Sequence, residues 1–167
     1  TGSVAIHSAA ELAPADGLET LGSGLDALAA GDLAGARRLR DGLEPDSLDH
    51  RILMWAIATS GGDGVGSGEI ARAARALADW PGVAALRARS ERAMYRENPG
   101  PRIVLDAFGD TRPRTAQGAL LLARAHLAVG NAQAARAALT RMWRTERLDA
   151  ADERTIIRQF GHMIAAA

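Results

Sequence analysis

The sequence has no cysteine and no lysine, and its aromatic residues amount to three Trp, two Phe and one Tyr in 167 residues. Without thiols, disulfides, thiol catalysis and Cys-ligated zinc are excluded together, while both oxidising and reducing compartments stay open. Without lysine, all twenty basic residues are arginine, and they are balanced by twenty acids for a formal net charge of zero. A nucleic-acid-binding domain carries a basic excess on one face. None is visible, so nucleic acid is not an expected partner. The all-arginine usage reads as a GC-rich genome rather than as an anion site. No apolar run approaches the roughly 20 residues that cross a bilayer, so no membrane span is expected.

What is present is helical periodicity. Thr1-Gly2-Ser3 reads as a tag scar and residues 1–15, with Pro14 and no sustained pattern, as a flexible N-terminal arm. From Asp16 onward the pattern is helical. Leu18, Leu21, Leu25, Leu28 and Ala29 form one stripe. Gly31 ends that helix and Asp32 caps the next, which carries Leu33, Ala36, Leu39 and Leu43. Ser47 caps a third helix, with Leu48, Ile52, Trp55 and Ala56 as its expected buried face. The segment Gly61-Gly62-Asp63-Gly64-Val65-Gly66-Ser67-Gly68 then interrupts the pattern, and Ser67 is placed as the cap of a helix bearing Ile70, Ala73, Ala74 and Leu77. Trp80-Pro81 opens a further helix with Val83, Leu86, Ala93 and Met94. Asn98-Pro99-Gly100-Pro101 stops it, and a shorter segment follows with Ile103, Leu105 and Phe108.

Residues 114–147 are the most informative stretch: two amphipathic helices joined by a Gly130-Asn131 turn. Small residues at fixed offsets from such a turn let paired helices approach closely, as in tetratricopeptide-like hairpins. Gly31-Asp32-x-x-x-Ala36 has the same form as Gly130-Asn131-x-x-x-Ala135, about 99 residues apart, close to three periods of roughly 33. A last helix is expected after Asp149, with Ile156, Ile157, Phe160 and Ile164. No segment alternates as a strand would. The fold class is therefore all-α, a right-handed α-α superhelix of tetratricopeptide-like hairpins with about nine helices, spanning residues 16–167.

Reactive constellations are weak. The glycines of 61–68 lack the Gly-Lys-Ser/Thr ending of a phosphate loop and follow no strand, so the segment reads as a helix–helix connection. His7, His50, His126 and His162 show no ligand spacing, and His126 reads as a hydrogen-bonded core histidine. Asp149, Asp152 and Glu153 cluster at a helix start, where they suit the helix dipole; Asp46 and Asp49 around Ser47 read alike. No catalytic residue, metal site or cofactor is assigned. Sugars stack on exposed aromatic faces, and Trp80, at a helix boundary, is the single possible glycan contact; Trp55 and Trp143 fit apolar stripes.

Residues 79–164 resemble the N-terminal superhelical region of soluble lytic murein transglycosylases of the Slt type from alpha-proteobacteria. The matching blocks are Asp79-Trp80-Pro81-Gly82-x-Ala84-Ala85-Leu86-Arg87, and Phe108-Gly109 with Arg112-Pro113-x-Thr115-x-x-Gly118. They continue with Leu122-Ala123-Arg124-Ala125 with Gly130 and Ala135, Met142-Trp143-Arg144, and Glu153 through Phe160-Gly161. Residues 47–57 are similar to the helix ending in Trp-Ala that precedes these blocks. The resemblance implies a periplasmic enzyme that cleaves the N-acetylmuramic acid to N-acetylglucosamine bond of peptidoglycan and leaves a 1,6-anhydro sugar. The family holds its catalytic Glu in a Glu-Ser dipeptide of a C-terminal lysozyme-like domain, and none of the eight Glu residues here precedes Ser. The expectation is a noncatalytic scaffold, a fragment whose partners are glycan strands and the catalytic domain of the same enzyme. The alternative is a tetratricopeptide-like adaptor that binds a protein or peptide in its groove.

Overall fold

A computed structural model of the chain describes residues 15–61 and 64–145, together with Arg154 and Arg158. The fold among them is all-α, with eight helices and no strand. The expected ninth helix lies outside the described residues apart from Arg154 and Arg158, which are helical. The chain divides into two compact units, residues 1–60 and 61–167, and the division falls at the start of the glycine-rich segment.

In the first unit, α1 (Ala15–Ala29), α2 (Leu33–Asp41) and α3 (Leu48–Thr59) each pack on the other two. The turn between α1 and α2 is set by local chemistry. Gly31 takes φ +80, a conformation in which a Cβ would strain the backbone. The Asp32 amide then reaches back to the Ala27 carbonyl at 2.8 Å, and the Asp32 carboxylate accepts from the Gly35 amide at 2.7 Å. Ser47 caps α3 as expected, accepting from the His50 amide.

The buried faces of this unit differ from the leucine stripes. Leu18 is 61% exposed and Leu48 65% exposed. The side of α1 that turns inward instead runs through Gly17, Leu21, Gly24 and Leu28, because Gly24 lies directly against Leu53 of α3. On α3 the enclosed residues are Leu53, Ile57 and Ala58, while Ile52, Trp55 and Ala56 are half-buried. That helix is apolar nearly all round, so its periodicity does not choose a face. Close approach at Gly24 does.

In the second unit, α4 (Ser67–Ala76) packs on α5 (Val83–Glu97), α5 on α7 (Ala116–Ala128), and α7 on both α6 (Pro101–Phe108) and α8 (Ala132–Thr145). Asn98, at φ 46, ends α5, and Pro101 opens α6, where a missing amide proton is harmless. The turn from α7 to α8 repeats the main bonds of the first unit's turn. Gly130 has φ +80, Asn131 N–H reaches the His126 carbonyl at 2.8 Å, and the Asn131 side chain accepts from the Ala134 amide. Ala36 and Ala135 are both fully enclosed in the paired helices.

Helix α7 is the centre of this unit, with eight of its thirteen residues buried. Ala116, Ala119, Leu120 and Ala123 meet Ala135 and Leu139 of α8. Leu121, Leu122 and Ala125 meet Met94 of α5 and Val104 and Phe108 of α6. A helix enclosed on several sides is apolar around its circumference, and each fully buried leucine contributes about 1.5–3 kcal/mol. Tyr95 touches both clusters and lies under the Arg124 guanidinium, 5.3 Å from its ring centre.

The packing of α1 gives a paired test. A Cβ at Gly24 would lie 2.6 Å from Leu53 Cδ1, whereas one at Gly22 would meet nothing within 4 Å. Alanine is favoured over glycine in a helix by about 1 kcal/mol, and overpacking a core costs about 1–3 kcal/mol. Gly22→Ala is expected to raise stability by roughly 0.5–1 kcal/mol, and Gly24→Ala to lower it by about 1–2 kcal/mol. Chemical denaturation followed by circular dichroism reads both; equal stabilisation by the two would contradict the close contact.

Candidate functional site

Helix α5 carries two acids that do not face water alone. Glu91 is 6% exposed, and its carboxylate sits over the first turn of α7. The Arg114 amide donates to both of its oxygens at 2.9 Å, and the Thr115 amide and hydroxyl each donate to Oε2 at 2.8 Å. Thr115 Oγ1 in turn accepts from the Gly118 amide at 2.9 Å. A buried helix start leaves amides without partners, and an anion there is favoured by both hydrogen bonding and the dipole. The cradle admits no side chain at position 118, where a Cβ would come within 2.4 Å of Glu91 Oε2.

Six residues on, Glu97 does the same for α4. The Ser67 amide donates to Glu97 Oε1 at 2.6 Å and its hydroxyl to Oε2 at 2.5 Å, while Ser90 Oγ donates to the Ser67 carbonyl at 3.0 Å. Ser67 is therefore not the expected cap. Gly66 holds the cap position without a side-chain bond, and Ser67 is the first helical residue and a donor. The helix start behind the glycine-rich segment thus receives a carboxylate from its own unit.

Above α5, the side chains of α4 and α6 leave a groove of about 730 Å³, within the range of about 300–1,000 Å³ typical of ligand sites. Ala71, Ala74 and Arg75 of α4 form one wall, and Ile103, Asp106 and Ala107 of α6 another. Val83, Arg87, Ser90 and Met94 of α5 line the floor. Ile103 of the short segment is 61% exposed on this rim, while Val104 and Phe108 turn into the core. Arg75, Arg87 and Asp106 have no ion-pair or hydrogen-bond partner among the described residues.

Trp80 lies in the turn between α4 and α5, half-buried, with its amide donating to the Leu77 carbonyl. It does not line the groove. Trp55 is half-buried on α3, and its indole Nε1, like Nδ1 of His50, is buried without a partner among the described residues. His126 is half-buried in the last turn of α7. His7, His162, the side chain of Trp143 and the cluster Asp149, Asp152 and Glu153 lie outside the described residues. Among those residues no group of three or more His, Asp or Glu could hold a metal ion, and no helix is long and apolar enough to cross a membrane.

The sequence signals at this site were partial. Thr115 before an apolar run is readable as a cap, but its acid lies 24 positions away on another helix, out of reach of any local pattern. The lining of the groove is likewise scattered over three helices. Comparison of the chain with family models, curated proteins and solved structures finds no match.

The cradle predicts coupled losses. Glu91→Gln keeps the shape but turns an amide donor toward donors, and should destabilise by about 1–3 kcal/mol. Gly118→Ala, which displaces the same carboxylate, should cost a similar amount net of its helix-propensity gain. Because both changes disturb one interaction, the double variant should lose clearly less than the sum. A denaturation-based double-mutant cycle with additive losses would refute the shared cradle.

Proposed function

We propose that the chain is a noncatalytic helical scaffold domain of a periplasmic lytic transglycosylase, whose hairpins stack as a right-handed superhelix beside glycan strands. The observation that supports this is the architecture of residues 108–118. Arg112-Pro113-x-Thr115-x-x-Gly118, one of the blocks that resemble the family, is here a helix-start motif built around Glu91. A wall of hairpins needs such motifs to hold each helix in register without offering reactive groups. In this reading the glycosidic chemistry belongs to the Glu-Ser site of a lysozyme-like domain in the same enzyme. Trp80, in its turn between helices, is the glycan contact of the scaffold, its ring supplying a stacking face.

A second reading is favoured by the groove over α5: an adaptor that holds a peptide or protein segment there. Concave surfaces between successive helices are where helical-repeat proteins bind such segments. Purified murein sacculi separate the two. The scaffold reading expects the chain to sediment with sacculi, Trp80→Ala to reduce the bound fraction about threefold or more, and no 1,6-anhydro muropeptides to be released into the supernatant. Release of anhydro products by the chain alone, or no sedimentation with sacculi, would overturn it.

A further inference from the structure

We infer that the groove over α5 is a docking site for an acidic, apolar peptide segment of a partner protein. The inference rests on the adaptor reading and names the chemistry of its ligand. The groove is bounded by α4 and α6 and floored by α5, and Met94 at its base is nearly enclosed, whereas Ile103 on its rim is not. An aliphatic side chain left on the edge of a concave surface, beside Val83, Ala71 and Ala74, gives an apolar segment something to cover. The charges are arranged unequally. Arg75 and Arg87 line the α4 and α5 side with no partner among the described residues. Of the two acids that share the lining, Glu91 is committed to the Arg114 and Thr115 amides that lead into α7, which leaves Asp106 on α6 as the one whose charge faces an occupant.

Arginine is the residue suited to gripping a carboxylate through paired N–H donors. Two arginines with no partner among the described residues, set among the aliphatic side chains Val83, Met94 and Ile103, therefore select a segment with Asp or Glu next to a bulky aliphatic or aromatic side chain. A basic segment would meet two like charges and be rejected. Asp106 opposes the acid from the other wall and tempers the affinity.

Fluorescence anisotropy on two matched peptide arrays tests this with the full 167-residue chain. One array places Asp or Glu at every spacing from Leu, Ile or Phe in a Gly-Ser background; the other carries Arg or Lys in place of the acids. Members of the acidic array should bind, weaken with added salt, and lose about tenfold on Arg75→Glu with Arg87→Glu. Ile103→Ser should lose about threefold or more, and Asp106→Ala should gain about twofold. The doubly reversed variant should bind the basic array instead. Arg75→Gln with Arg87→Gln serves if the reversal unfolds the protein by circular dichroism. Binding that ignores peptide charge, or that survives the arginine changes, overturns the acidic specificity while leaving an adaptor intact. Binding by neither array overturns the adaptor reading with it. A dimer in sedimentation velocity that Ile103→Ser dissociates would assign the groove to a second copy of this chain and overturn the proposal as well.

Discussion

The second unit depends on placing a carboxylate where water scarcely reaches. Helix α7 is enclosed by α5, α6 and α8, so its first amides cannot be left to solvent. Glu91, itself buried, accepts from the Arg114 and Thr115 amides and the Thr115 hydroxyl at the turn into that helix, and Thr115 Oγ1 accepts in turn from the Gly118 amide inside it. Desolvating a carboxylate costs several kcal/mol, and hydrogen bonds to a charged acceptor return about 1.5–3 kcal/mol each. Neither the acid nor the helix start is stable in that place without the other. The pairing also fixes α5 against α7 in a way that apolar packing, which tolerates sliding, does not.

Glycine at 118 follows from this arrangement rather than from helix geometry. Within a helix it is unfavourable by about 1 kcal/mol relative to alanine, yet any side chain there would strike Glu91. Gly24 stands in the same relation to Leu53 in the first unit. In both units a locally poor residue permits a tertiary contact that outweighs it. These are the positions where local preference and the native packing disagree, and they mark the contacts on which each unit is built.

How much of this was legible in the sequence follows the range of the interaction. The turns at Gly31-Asp32 and Gly130-Asn131 were readable because their bonds close within six residues, and so were the Ser47 cap and the stop at Asn98-Pro99. The all-α class was readable from periodicity for the same reason. The face of α3 was not, since a helix apolar nearly all round gives no direction until Gly24 selects Leu53. The inward face of α6 was not legible either, because the helix is short and bears apolar residues on two sides, Val104 and Phe108 on the side that meets α7 and Ile103 on the exposed one. Glu91 and Glu97 were invisible as capping groups because their amides come from other helices, 23 to 30 residues away.

That commitment of acids also changes the meaning of the chain's neutral charge. Counted along the sequence, arginines and acids cancel, and the balance suggested a surface without a preferred ligand sign. In three dimensions α5 directs both of its glutamates at the helix starts of α7 and α4, while Arg87 and the neighbouring Arg75 keep no such partner among the described residues. Charges held in internal hydrogen bonds contribute little to the field met by a ligand, whereas unpaired ones at a concave, partly apolar surface are focused by it. A chain neutral by composition therefore presents a groove with a sign. The helix that holds the unit together by its acids thus carries Arg87, with no described partner, on the floor of that groove.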